Sequence, residues 1–289
     1  MRYNLLAVFV LILTISGYSQ NRYYPEKDSV QPWWEYGVQF GAFLADNYSA
    51  DFYNGEGVND ITRITEAYDD EIRNAIQTAN PESSSFNEFR LGDLPRNMGY
   101  NTASMPGLHL EYHSDSTTSF FINFQYIKLR TSGNLIITDP NNDYNLDNDF
   151  MGRIRATEER VFIDIGIRQS FQTPGNFSFY LTGGVNINNT TVMSHKIDIA
   201  TFTRSIQSRY SDRPINTGYP TNNYNFKQGG IGIGIVGGGG VKLSYQQSLY
   251  AAIDLTAYYS QTILPGREEF GIHVAPMLRL GYKSATLFP

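Results

Sequence analysis

The chain has 289 residues, 41% of them hydrophobic, with 21 Tyr, 18 Phe and 26 Gly but no Cys. Its formal net charge of −6 argues against a nucleic-acid partner, because phosphate backbones are held by basic patches. Without cysteine there is no disulfide framework, no thiolate metal centre and no cysteine nucleophile.

Arg2 precedes the apolar run Leu5–Ile15, and Gly17-Tyr18-Ser19 supplies small residues for cleavage. Residues 1–19 read as a secretory signal, too short for a membrane-spanning helix. Residues 20–33 carry Pro and charge without periodicity and read as a periplasmic tail. A period of two begins at Trp34: Trp34, Tyr36, Val38, Phe40, Ala42 and Leu44 share one face, with Glu35, Gly37, Gln39 and Gly41 between them. The pattern returns in Pro106–His113, Phe120–Leu129, Arg160–Phe171 and Phe177–Asn188. It is clearest in Gly229–Ser260, two long strands joined by Gln246-Gln247-Ser248, and it closes with Phe270–Lys283. The apolar face is continuous, and the other face is small, polar or charged. Strands of about a dozen residues exceed the usual soluble length of ~5–6 and suit a tilted membrane crossing of ~9–11.

The connections alternate in length. Ser114–Thr118, Thr173–Asn176 and Gln246–Ser248 are tight turns, whereas residues 46–105, 130–159 and 189–228 are long inserts. Short periplasmic turns, long outer loops and an even strand count describe outer-membrane barrels. Trp34, Tyr36, Tyr112, Phe120, Phe171, Phe177, Tyr245 and Tyr282 all fall at the predicted periplasmic rim. The sequence therefore predicts an all-β fold over residues 34–289: an eight-stranded antiparallel transmembrane β-barrel in the outer membrane. Both termini are periplasmic and the loops extracellular on this reading. Outer-membrane lipid and lipopolysaccharide surround it, with envelope proteins as further partners.

The WEYGVQFGAFLADN opening strand, the GIGIVGGGGVKLSY and SLYAAIDLTAYY hairpin, and the closing GIHVAPMLRLGYK strand resemble the small outer-membrane barrels of Bacteroidota loosely called PorT-like. The resemblance implies roles in envelope integrity or as accessories of secretion machines, and it carries no catalytic signature.

Glu35, His109, Glu111, Asp164, Arg168, Lys242, Asp254, His273 and Arg279 all fall on predicted inward positions. An eight-stranded lumen holds little more than side chains, and charges away from water need partners, so these nine read as a packed ion-pair network. A proton-relay role for His109 and His273 is the sharper alternative. Gly232–Gly237 matches GxGxxG, but it lies inside a strand with no helix following, so inward glycines making room for bulky neighbours is the better reading. Asp139–Asp149 is rich in oxygen ligands, yet Tyr144 and Phe150 stand where a calcium loop needs Gly and Glu. Ser194, His195 and Asp198 are close in sequence but alternate as on a strand. No cofactor and no metal are expected.

Within the first insert, Asn59–Ala79 changes period. Ile61, Ile64, Tyr68, Ile72 and Ile76 form a narrow stripe among Asp60, Arg63, Glu66, Asp69, Asp70, Glu71 and Arg73. This predicts one amphipathic helix, capped by Asn59 or Asp60 and ending before Pro81. Its stripe needs an apolar partner, either the mouth of its own barrel or a groove on another protein. The reading as a whole is a non-catalytic subunit of an envelope assembly. A small channel or apolar-ligand carrier is the alternative, and an outer-membrane lipid-modifying enzyme or protease ranks below both.

Overall fold

A computed structural model describes residues 32–79, 88–138, 150–173, 176–206, 228–245 and 248–284. The segments 1–19, 20–31 and 139–149 lie outside the described residues, and with them the signal, most of the tail and the oxygen-rich loop. The strands are Trp33–Phe43 (β1), Arg90–Leu91 (β2), Ala103–His113 (β3), Thr118–Thr138 (β4) and Phe150–Gln172 (β5). Phe177–Ile199 (β6), Phe202–Ser205 (β7), Gly229–Tyr245 (β8), Leu249–Leu264 (β9) and Arg267–Ser284 (β10) follow. Two helices, Thr62–Ala67 (α1) and Asp69–Ala79 (α2), come after 3-10 turns at Tyr48–Tyr53 and Gly57–Asn59.

The sheet has ten strands rather than the eight expected. The two extra strands are short: β2 adds to β4 at Thr138 and Ile137, and β7 adds to the end of β6. The long strands run in the order β4-β3-β1-β10-β9-β8-β6-β5, all antiparallel. The two ends of that path pair with each other, from Thr118↔Gln169 to Ile137↔Phe150, so the sheet is ring-like. One end of the ring carries the tight turns. There Asp115 accepts the backbone N–H groups of Thr117 and Thr118 at 2.6 and 2.8 Å. At the other end β9 turns into β10 through Gly266, whose φ of +73° is costly for a side chain.

Strands β4, β5 and β6 are 21, 23 and 23 residues long, against 11 for β1 and β3. The expected insert 130–159 is thus strand up to Thr138 and again from Phe150, and the expected insert 189–228 begins as strand, with β6 running to Ile199 and β7 over Phe202–Ser205. The alternation continues, with one register shift between β5 and β6 beside Thr157 and Glu158, but its outward content changes. On β4, Phe120, Ile122, Phe124 and Tyr126 face out, followed by Lys128, Arg130, Ser132 and Asn134. The inward face stays apolar at Leu129, Leu135 and Ile137. A strand whose outward face turns from greasy to charged resembles a loop by composition, which is why the sequence reading ended it early.

Sidedness is inverted relative to a water-soluble core. Ile165, Ile167, Leu181, Ile233, Ile253, Leu255 and Leu278 face outward and are exposed, while Glu35, Glu111, Asp164, Arg168, Asp254 and Arg279 are buried inside. The GxGxxG stretch lies wholly within β8. A Cβ on inward Gly240 would meet Tyr180 Oη at 2.5 Å, so that glycine makes room for a lumen tyrosine.

Ile165 sits mid-band, between Ile122 and Val185. Arginine there should cost ~2–4 kcal/mol in a bilayer. Ser132→Arg, outward but on the extension beyond the band, should cost little. Urea unfolding in lipid vesicles distinguishes them, and equal losses would contradict the band.

Candidate functional site

The interior is built in layers that follow the β4–β5 ladder. From the tight-turn end the inward pairs run Ser119↔Arg168, Asn123↔Asp164, Gln125↔Phe162, Ile127↔Arg160, Leu129↔Glu158 and Thr131↔Ala156. Charge, amide, aromatic and charge follow one another because side chains of one face recur every second residue.

The layer nearest the tight turns centres on Glu111. Arg168 ion-pairs with it, Ser119 donates to its other oxygen, and His109 Nε2 lies 2.9 Å away. His113 Nε2 sits 3.3 Å from Glu111 and 3.2 Å from Glu35, which ion-pairs with Lys242. The Arg168 guanidinium stacks on Tyr180 at 4.2 Å, and Tyr180 donates to Asp254, which pairs with Arg279 at 3.1 Å. Donor atoms of Glu35, Glu111 and His113 lie within 4.8 Å of one another, close enough for a metal ion. Lys242 and Arg168 already supply the positive charge that such an ion would bring.

Asp164 does not pair with Arg168. It accepts from Gln125 at 2.9 Å, Asn186 at 2.7 Å and Tyr258 at 3.2 Å, and among the described residues no salt bridge reaches it. His273 is also apart from the Glu111 cluster: its Nδ1 accepts the Asp46 backbone N–H at 3.0 Å near the opposite end. The nine predicted residues are therefore all inward, but they divide among the Glu111 cluster, the amide-held Asp164 and the remote His273. His109 touches Glu111 and Asn123 whereas His273 takes the Asp46 N–H, so among the described residues the two histidines share no hydrogen-bond partner and form no relay pair.

Above Asp164, Phe43, Met105, Ile127, Phe162, Val236, Tyr258 and Met277 pack together. They come from β1, β3, β4, β5, β8, β9 and β10, so the cluster crosses the interior. Phe162 meets Phe43 and Tyr258 edge-on at 5.5 and 5.2 Å.

A second polar cluster, which the sequence reading missed, lies beyond that plug. Tyr53 and Tyr100 both donate to Glu158 Oε2, at 2.7 and 2.8 Å. Arg160 pairs with the other oxygen and donates to Ser49 at 3.1 Å. Burial, then the Glu158 charge, holds the Tyr53 and Tyr100 hydroxyls well above the ordinary phenol range, so both remain donors. Glu158 and Arg160 sat inside and at the edge of a supposed loop. Their signal was the unbroken alternation with Phe162 and Asp164.

The segments that supply Ser49, Tyr53 and Tyr100 form a cap on this end. Asn59 donates to Phe52 O at 2.6 Å, and the Met98 N–H donates to Asp51 at 2.7 Å. Ala50, Phe52, Tyr53 and Met98 pack with Ala156 and Leu264. The helix stripe is seated too. Ile61, Ile64, Ile72 and Ile76 are buried against Leu135, Ile137, Ile154, Ile197, Ile199 and Phe202, with Tyr68 partly buried beside them. The single expected helix is two, broken at Tyr68, and Asp60 takes the Thr62 N–H at 2.9 Å. The strand extensions present inward apolar residues beyond the ring, and the helices cover them.

Ser194, His195 and Asp198 do not assemble. His195 points inward, 3.2 Å from the Tyr53 carbonyl, while Asp198 lies outward and takes Arg155 at 2.6 Å. Burial pulls the His195 imidazole down to about 4.

No known protein family matches the sequence, and no curated protein matches it. Among solved structures the chain is similar to Neisserial surface protein A, with 10% identity over 88% of this chain and 97% of the other, at a TM-score of 0.39. It is also similar to the outer membrane protein OprG of Pseudomonas aeruginosa, with 10% identity, 86% and 95% coverage and a TM-score of 0.38. Ail of Yersinia pestis matches at 10% identity, 86% and 98% coverage and a TM-score of 0.34. At scores this low the likeness carries no weight, and the architecture rests on the strand pairings above.

Two outcomes follow for these clusters. Arg168→Met leaves Glu111 without its guanidinium and should cost ~3–5 kcal/mol, whereas Arg168→Met with Glu111→Gln should cost less. The heat-induced gel shift of the folded protein in detergent reads both, and an unchanged single variant would contradict the pairing. His195 is held neutral in the fold but takes a proton near 6.5 when released, so its contribution is full above pH 6.5 and falls as pH drops toward 4. The hydrogen-exchange protection of Phe52–Asn54, taken relative to intrinsic amide exchange at each pH, should fall between pH 7 and pH 5 in the native chain and less so in His195→Gln. An identical loss of protection in both would assign the effect to other groups.

Proposed function

We propose that this chain is a non-catalytic outer-membrane β-barrel that acts as a structural or accessory subunit of an envelope assembly. On this reading residues 1–19 are a secretory signal, residues 20–33 lie in the periplasm, and the tight turns face that side. The capped end, with α1, α2 and the extensions of β4, β5 and β6, then faces the exterior and meets partners.

The observation that carries the membrane placement is the inverted sidedness of the ring. Exposed Phe124, Ile165, Val185, Ile233 and Leu255 on the outside are what lipid requires, and buried Glu111, Arg168 and Asp254 on the inside are what water-soluble cores avoid. Paired strands also leave no edge groups unsatisfied in hydrocarbon. The Bacteroidota PorT-like likeness belongs to the same proposal, on the strength of the opening, hairpin and closing strands alone.

The non-conducting, supporting role draws on the interior. A neutralised cluster, an apolar plug and a second neutralised cluster are stacked beneath a docked cap. A channel or apolar-ligand carrier needs open volume where Phe43, Phe162 and Tyr258 meet. The helix stripe, seated on the protein's own strands, acts as a lid, which leaves the outer polar surface of the cap for recognition.

Reconstitution in planar bilayers tests this. The native chain should show no unitary conductance, and Phe43→Ala with Phe162→Ala should not be silent if the plug is what closes it. Discrete channels in the native protein would favour the channel reading. In purified protein, Ile64→Asp with Ile72→Asp should expose residues 60–79 to protease, since burying each isoleucine is worth ~1.5–3 kcal/mol. Unchanged digestion would overturn the lid.

A further inference from the structure

The hydrogen-bond ladder of the ring is interrupted on both sides of one strand pair, and a proline stands at each break. Across β1 and β10, Leu44 and Val274 exchange both backbone bonds, at 2.9 and 3.1 Å, but the continuous ladder resumes only at Gly41↔Met277. Bond-exchanging pairs recur at every second residue of an antiparallel ladder, so the next one would join Ala42 to position 276. That position is Pro276, which has no N–H to give the Ala42 carbonyl. On the other flank the β3–β4 ladder stops at Gly107↔Gln125, beside Pro106, and the strands touch again at Tyr100↔Thr131. Between the two breaks β1 and β3 stay paired as far as Phe43↔Ala103. Proline within a sheet belongs at edges and bulges, and here it gives the β1–β3 pair two local edges inside the ring.

A groove of about 540 Å³ lies at the Pro276 break. Phe40, Ile253 and Leu278 border it, and all three are outward and exposed. Its lining also includes Ala103 and Met277, which face inward and belong to the apolar cluster that crosses the interior. The groove therefore cuts into the wall between β1 and β10 rather than lying on its surface. Among the described residues no charged side chain lines it, and its polar side chains are the Thr102 and Ser104 hydroxyls.

We infer that this seam is a lateral binding site for an acyl chain of a membrane lipid, which enters between β1 and β10 at Pro276. The mouth lies within the apolar band: Val274 and Leu278 flank Pro276 on the outward face of β10, and Phe40 and Ile253 stand on the neighbouring strands. The surrounding medium there is hydrocarbon, and the volume falls within the ~300–1,000 Å³ of ordinary ligand pockets. A cleft between two strands admits a flexible chain, whereas a second barrel would present a broad convex wall to it. The missing bond at Ala42 removes one of the ties that would hold the two strands against such a guest. The inference rests on the membrane placement proposed above.

Photolabelling of the full-length mature protein tests it, in vesicles of a phospholipid that carries a diazirine on its acyl chain. Peptide mapping should find a severalfold excess of adduct on residues 40–42, 103–106 and 276–278 over Ile165 and Ile167, which are as exposed but lie on unbroken ladders. Ser104→Leu, which fills the groove from its outward side, should lose that excess while keeping the folded gel mobility. Pro276→Ala restores the N–H, so it should lower the excess as well and slow deuterium uptake at Ala42 and Leu44. Equal labelling of the groove and of Ile165 and Ile167, or an excess that survives both substitutions, would overturn the site. Disulfide-linked dimers of Ser104→Cys in vesicles, with no excess label at the groove of the native chain, would assign it to a second copy and overturn the lipid. Absence of adducts along the whole band would instead overturn the membrane placement itself.

Discussion

The structure depends on one constraint: a side-chain period of two kept through the long strands, with one register shift between β5 and β6 beside Thr157 and Glu158. A one-residue slip on β5 would send Asp164 and Arg168 into the outer band and Ile165 into the lumen. The pairings hold that register on both sides, with Asp164 level with Asn123 on β4 and Asn186 on β6. The Gln125 and Asn186 amides that donate to it are the reason a carboxylate is tolerated there. Register therefore sets both which face meets apolar surroundings and which polar groups meet one another inside.

Charge inside such a ring is useful only when neighbours satisfy it. Glu111 gathers an arginine, two histidines and a serine from β3, β4 and β5, so a single carboxylate ties adjacent strands together. Glu158 does the same at the other end, but its tyrosine donors come from the connecting segments, Tyr53 and Tyr100. That difference couples the cap to the barrel wall. The Glu111 cluster joins strand to strand, while the Glu158 cluster joins strands to the cap.

The ring was legible in the sequence because alternation survives in regions such as Phe120–Tyr126 and Leu249–Tyr259, where one face is apolar throughout. The inward set was legible for the same reason: Glu35, Glu111 and Arg168 could be placed by parity alone. Pairing was not, because parity assigns a face but not a height. Asp164 and Arg168, four residues apart on one face, sit in different layers with different partners. The extensions of β4 to β6 were hidden because outward Lys128, Arg130 and Arg155 look like loop composition. Glu158 was lost with them, and with it the partner of Arg160. The helix stripe was visible at its period of three and four, but its break at Tyr68 depends on packing against Phe202, a contact 134 positions away that no local pattern encodes.

Cysteine scanning of β5 from Val161 to Arg168 tests the register and the sidedness together, in a chain with no native cysteine to confuse it. In native-lipid vesicles, Val161, Ile163, Ile165 and Ile167 should react with a membrane-soluble maleimide and not with a charged one. Phe162, Asp164, Gly166 and Arg168 should resist the membrane-soluble reagent. Uniform labelling along the strand, or reaction of the odd positions with the charged reagent, would contradict the inverted barrel on which the whole account rests.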